Sequence, residues 1–294
     1  MGALIALSSA CAEAPSPAPG RDDTPFTVYT VNYPLAYFAE RVGGEHIEVE
    51  FPAPTHVDPA YWQPSPEIMV GYQRADLVLL NGAGYARWID TAPLPRSRQL
   101  DTGALTSDQF IPIENGVQHT HGSKGDHSHG ELAFTTWLDL ELAAGQVRAI
   151  SQSLVKALPN HAAAFAGRAA ALLDDLNALD EQLLALDSPP SLLASHPVYQ
   201  YLARRYDLDL RSLHWEPDLA PDEDEWAKLD ALLAERPVRW MLWEAQPLPL
   251  VVTGLQRRGV TVLVLAPCGN RPAEGDFLTV MGQNVKSLAQ PWGG

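Results

Sequence analysis

The sequence predicts an α/β protein of two lobes, each a parallel sheet flanked by helices, joined by one long rigid helix. Three observations carry this. Apolar runs of strand length alternate with helical segments from residue 26 to residue 82. A long Ala- and Leu-rich helical stretch with little glycine follows, after a loop. The alternation then restarts near residue 191 and continues to the end.

In the first lobe, Phe26 to Val31 (FTVYTV) is β-branched and aromatic, as a buried strand requires. Tyr33 to Val42 has helical spacing, and His46 to Phe51 (HIEVEF) alternates like a second strand. Ser65 to Arg74 reads as a helix, and Asp76 to Asn81 (DLVLLN) as a third strand that stops at Gly82. From Leu138 to about Leu186 the chain is helical, divided at Pro159 because proline cannot donate to a helix interior. A helix from Asn160 to Leu186 would be roughly 40 Å long at 1.5 Å per residue, long enough to brace two lobes.

The second lobe repeats the scheme. Strands are expected at 191–195, 208–213, 238–243 and 261–265, with helices at 198–206, 223–235, 249–258 and 277–289. The boundaries are then 1–12 for a signal segment, 13–25 for a linker, and 26–140 for the first lobe, including a histidine-rich loop at 118–130. The helical connection is 141–187 and the second lobe 188–294. Folds of this kind bind ligands at the carboxyl ends of strands, here in the cleft between lobes.

Composition narrows the partners. Hydrophobic residues make up 46% and charged residues 19%, enough apolar material for a sizeable core. A formal net charge of −16 disfavours nucleic acid and anionic lipid. Gly2 to Ala12 (GALIALSSACA) resembles the end of a secretion signal. Two readings stand side by side: Ser8-Ser9-Ala10-Cys11 as a lipoprotein box with Cys11 lipidated, or Ala10-Cys11-Ala12 as an ordinary cleavage site. Glu13 to Pro25 has the composition of an extended linker. No later apolar stretch approaches the ~20 residues of a membrane span. The expectation is an extracytoplasmic protein, periplasmic or lipid-anchored through Cys11, and monomeric.

The chemistry points to metal. Four of the nine histidines, His119, His121, His127 and His129, fall in one Gly-, Ser- and Asp-containing loop. Imidazole is a good ligand for Zn²⁺, Cu²⁺ and Ni²⁺. His56 follows the second strand of the first lobe, and His196 follows the first strand of the second, so each lobe offers one imidazole toward the cleft. Glu244 ends the strand Trp240 to Trp243, placed to ligate a metal or to hold a ligating imidazole. His46, His161 and His214 read as structural or solvated. No H-E-x-x-H pattern is present and no base stands beside the histidines, so a metallohydrolase is disfavoured.

These residues together resemble the zinc- and manganese-binding proteins of bacterial ABC transporters. His56-Val57-Asp58-Pro59 with Tyr61 and Pro64-Ser65-Pro66 is similar to that family's first-ligand segment. Ala75 to Gly82 (ADLVLLNG) follows its next run closely. A histidine-rich loop before Trp137-Leu138-Asp139, Ser195-His196 with Tyr199, Glu216-Pro217 with Pro221, and Glu244 extend the match. The resemblance implies two lobes joined by a helix, capture of a metal ion without covalent chemistry, and delivery to a membrane permease. A metallochaperone is a further candidate partner. Two departures stand out: Thr135 and Ala266 occupy places where the family usually has a histidine and an aspartate. The implied four-ligand site is thereby reduced to His56 and His196. His129, Glu244, water or Cys268 are the candidates to complete it. Zinc is the expected metal, copper and nickel are alternatives, and manganese is disfavoured. The rival expectation is a degenerate member acting as a metal chaperone, sensor or adhesion protein with a labile or loop-only metal site.

Overall fold

The computed structural model describes residues 25–113, 118–120, 126–128, 132–186 and 190–292; for 118–120 and 126–128 only the backbone is described. The signal segment, most of the linker, and His121 and His129 lie outside the described residues.

The first lobe is a four-stranded, all-parallel sheet in the order β2-β1-β3-β4. Its strands are β1 (Phe26–Thr30), β2 (Ile47–Glu50), β3 (Leu77–Leu80) and β4 (Gln99–Asp101). The buried run of β3 is what a central parallel strand needs, because helices cover both faces. Helix α1 (Tyr33–Gly43) starts where the Asn32 side chain accepts from Leu35 N, and Pro34 sits harmlessly in its first turn. It stops at Gly44, whose φ of +55° suits glycine. Helix α2 (Pro66–Arg74) begins at Ser65 in the same manner.

Pro159 divides the helical stretch as expected. Helix α3 (Leu140–Ala157) packs on α1, a short 3₁₀ turn spans Pro159–His161, and α4 (Ala162–Leu184) follows. At 23 residues α4 is roughly 35 Å long. It lies against α1 and α3 of the first lobe and α8 (Phe277–Ala289) of the second, so it braces both. His46 and His161 stack with ring centroids 3.9 Å apart, remote from the cleft described below.

The second lobe repeats the first: four parallel strands in the order β10-β9-β7-β8. These are β7 (Leu192–Ala194), β8 (Leu210–Ser212), β9 (Trp240–Trp243) and β10 (Thr261–Val264), interleaved with α5 (Gln200–Arg205), α6 (Glu223–Glu235), α7 (Pro249–Arg257) and α8 (Phe277–Ala289). A capping box of Asp222 and Glu225 fixes the start of α6. Between the lobes in sequence, β5 (Gln118–Thr120) and β6 (Asp126–Ser128) pair antiparallel, with His119 opposite His127.

One ion pair ties α4 into the second lobe. Arg205 reaches the Asp180 carboxylate at 2.5 Å, and the Tyr206 hydroxyl donates to it at 2.9 Å. Burial and the adjacent Asp180 both push the Tyr206 hydroxyl above its ordinary value.

An interlobe cleft with three carboxylates and one imidazole

Segments that follow strands of both sheets converge on one cavity of about 310 Å³ between the lobes. The turn after β2 supplies Asp58, the segment after β7 supplies His196, the one after β8 supplies Glu216, β9 ends directly on Glu244, and β10 leads into Pro267 to Asn270. A parallel sheet presents all its carboxyl ends on one edge, so two such sheets facing each other create the cleft without special loops.

The first-lobe wall is aromatic. Tyr61, Phe134, Tyr85 and Trp137 form a chain of edge-to-face contacts with centroids 6.1, 5.3 and 5.7 Å apart. A buried polar hub holds that wall. Asn81 is 1% exposed; its side-chain oxygen accepts from Asn32 Nδ2, Thr136 Oγ1 and Gln146 Nε2, while its amide donates to Phe134 O at 2.9 Å. The asparagine that ends the predicted third strand therefore positions residues 134–136 at the cleft.

The facing wall is acidic. His196 Nδ1 lies 3.3 Å from Glu216 Oε1, and His196 is 7% exposed. Glu244 is deeply set. Burial first, then the charges of Asp58 and Glu216, raise its carboxyl to about 8. At neutral pH it is mostly protonated and becomes an acceptor when a cation arrives.

The segment after β10 clasps the lobes together. Asn270 Nδ2 donates to Pro54 O at 2.7 Å and Val57 O at 2.8 Å. Trp137 Nε1 donates to Pro267 O at 2.7 Å, and Tyr33 N to Gly269 O at 3.0 Å. Between these bonds Cys268 adopts φ +61°, a left-handed conformation costly for a side-chain-bearing residue. Burial pushes its thiol up to about 12, so it lines the cavity protonated, a poor ligand until a metal displaces its proton.

The expected ligands are only partly brought together. His196 and Glu244 both line the cavity. His56 does not: it is exposed in the 54–59 turn, and Asp58, two residues on, lines the cavity instead. The reason is local. Asp58 Oδ1 accepts from Ala60 N, and Asp58 O from Tyr61 N and Trp62 N, closing a turn that carries Asp58 into the cleft and leaves His56 outside. Side chains of His119 and His127, and all of His121 and His129, lie outside the described residues. Thr135 Oγ1 donates to Val198 O at 2.6 Å. Ala266 is held by a reciprocal pair with Asn284, 3.0 and 2.8 Å. Among the described residues no three His, Cys, Asp or Glu side chains are grouped closely enough to hold a metal ion. Asp58 and Glu216 are the lining residues that residue-type reasoning passed over. Asp-Pro after a strand and Glu-Pro after a strand were their only signals.

Fold and cleft define the class: a two-lobed α/β protein with a binding cleft between its parallel sheets. The family described as "Zinc-uptake complex component A periplasmic" (ZnuA) matches residues 28–291, and the chain belongs to that family. The zinc-binding lipoprotein AdcA of Streptococcus pneumoniae is 25% identical over 285 residues, covering 91% of this chain and 56% of AdcA. The chain thus spans little more than half of that relative's length. The high-affinity zinc uptake system protein ZnuA of Bacillus subtilis is 24% identical over 230 residues, 74% of this chain and 70% of that protein. The Zn(II)-bound ZnuA-like domain of pneumococcal AdcA superimposes with a TM-score of 0.76 at 21% identity, covering 91% of this chain and 99% of that one. FpvC of Pseudomonas aeruginosa in complex with Mn²⁺ gives 0.71 at 21% identity, over 92% and 100%. These structural likenesses establish the fold. Among the described residues no helix is long and apolar enough to cross a membrane.

Proposed function

We propose that this protein captures Zn²⁺ outside the cytoplasm and delivers it to the permease of an ABC importer. The observation that carries this reading is the interlobe cleft itself: His196 against Glu216, with Glu244 and Asp58, at the carboxyl ends of strands from both sheets. Zinc-binding and zinc-uptake relatives support the choice of metal. His196 is the imidazole ligand, and Glu244 or Glu216 the carboxylate that joins or orients it. The loop histidines His119, His121, His127 and His129 gather zinc from solution and pass it inward. A lipid anchor at Cys11 tethers the chain near its permease, and the working form is a monomer.

A second reading is favoured by the absence, among the described residues, of a three-donor group. Here the loop alone holds metal, and the chain acts as a chaperone or sensor. Calorimetric titration of zinc into the intact chain tests the first reading: one saturable site is expected, and no saturable binding overturns it. Removing residues 118–130 separates the two readings. Under the first a cleft site survives; under the second all binding disappears with the loop.

A further inference from the structure

His214 follows β8 and is exposed. The second sheet decides what stands beside it. β7 and β8 pair in parallel with Ala194 beside Ser212, and the ladder runs on past both strands: Leu213 N donates to Ala194 O at 2.8 Å and Trp215 N to Ser195 O at 2.7 Å. Two residues beyond the Ala194–Ser212 pair, the same register brings His196 and His214 side by side. Their rings meet edge to face, with centroids 6.1 Å apart and planes at 89°.

Trp215 fixes which way its neighbours face. It is buried against Trp226 and Trp243, with ring centroids 5.0 and 6.3 Å away. Successive side chains of an extended segment alternate, so His214 and Glu216 share the other face. Glu216 lines the cavity and lies 3.3 Å from His196 Nδ1, while His214 stays at the surface. One wall of the cleft thus carries an exposed imidazole next to a buried one, with a carboxylate beside the buried one.

The spacing suits a handover. A zinc ion about 2.0–2.1 Å from one nitrogen of each of two imidazoles sets the ring centroids about 5–6 Å apart. At 6.1 Å a small side-chain rotation lets the two rings share one ion. Zinc tolerates the exchange, because its filled d shell imposes no geometry and a fifth ligand can enter before another leaves. The stretch from Glu216 to Glu225 carries six carboxylates and no lysine or arginine, which raises the local concentration of cations at the outer imidazole.

We propose that His214 is an entry ligand: its imidazole takes zinc at the surface, shares it with His196, and passes it into the cleft. Each imidazole binds the ion in its neutral form, and any proton it carries leaves to solvent. This deepens the zinc-capture reading and rests on it. It supplies the step between solution and the buried ligand.

The test measures zinc association and dissociation by stopped flow. A trace of fast zinc indicator reports free zinc after mixing, and an excess of strong chelator starts dissociation. The full chain is used with His119, His121, His127 and His129 changed to Asn, so that capture by the loop does not set the rate. His214→Gln should slow association about tenfold and dissociation by the same factor, leaving the affinity within about twofold, because a group that acts only on the path lowers the barrier in both directions. His214→Cys, which offers zinc another donor, should restore most of both rates. His214 is exposed, so neither change disturbs the core. An association rate unchanged in His214→Gln overturns the proposal. So does a loss of affinity carried by faster dissociation alone, which would make His214 a resident ligand, and so does failure of His214→Cys to restore the rates. Saturable binding with rates indifferent to His214 would leave the capture reading intact. Loss of saturable zinc binding in the unmodified chain would instead overturn that reading.

Discussion

Replacing Glu244 with Gln should make the protein more stable in alkaline solution and leave it nearly unchanged in acid. The folded carboxyl sits at about 8, against an ordinary value of 4.5, because burial disfavours its charged form and Asp58 and Glu216 stand near. The folded state therefore holds the proton more tightly than the unfolded state. The stability this lends is fully present below 4.5 and is lost as pH rises through 8. Each tenfold in proton affinity is worth ~1.4 kcal/mol, so the whole difference amounts to roughly 5 kcal/mol as an upper bound, less whatever water in the cleft relieves. The amide of the Glu244→Gln variant would carry no charge at any pH. Urea denaturation of the wild-type protein and that variant at pH 5 and pH 9 measures the effect. The variant's advantage should grow by about 2–4 kcal/mol between the two conditions and shrink when zinc saturates the cleft. An advantage that is the same at both pH values would refute the reasoning.

Other substitutions probe the parts that hold the cleft. Asn270→Ala removes two bonds to the Asp58 turn and should cost about 1–3 kcal/mol in urea denaturation, with weaker zinc binding as that turn loosens. Asn81→Ala strands Asn32 Nδ2 and Thr136 Oγ1 and leaves Gln146 Nε2 only Thr102 Oγ1, so a loss of about 2–4 kcal/mol is expected, read as a lowered denaturation midpoint. Asp180→Ala removes the nearer carboxylate of Arg205, 28% exposed, and leaves it only Asp139 at 3.9 Å. Solvent screening of that arginine reduces the expected loss to about 2 kcal/mol by thermal denaturation, with zinc affinity retained because α4 lies behind the cleft.

Most of the architecture was legible because parallel strands buried on both faces must be apolar runs, and helices between them must be amphipathic. Val78 and Leu79, Leu193 and Ala194, and Met241 and Leu242 advertise their strands. Pro159 marked the break between α3 and α4. What was missed is what lacks such a signature. β4 is a three-residue edge strand, Gln-Leu-Asp, whose only requirement is pairing with β3. The β5–β6 pairing is a backbone event in a polar loop. At the site, His196 and Glu244 line the cleft, the first lying two residues past β7 and the second directly after β9. His56 is exposed beside the cleft, and Asp58, two residues on, is among the residues that line it. Glu216 was legible only as part of a family segment, since its role depends on its distance to His196.

The most direct measurement is zinc binding, with the metal supplied in histidine-buffered solution, by the chain lacking residues 118–130, with and without His196→Ala. Retention of one saturable site, weakened at least tenfold by His196→Ala, is the predicted result. A site whose affinity and stoichiometry are untouched by His196→Ala, or the absence of any site once the loop is gone, would contradict capture in the cleft.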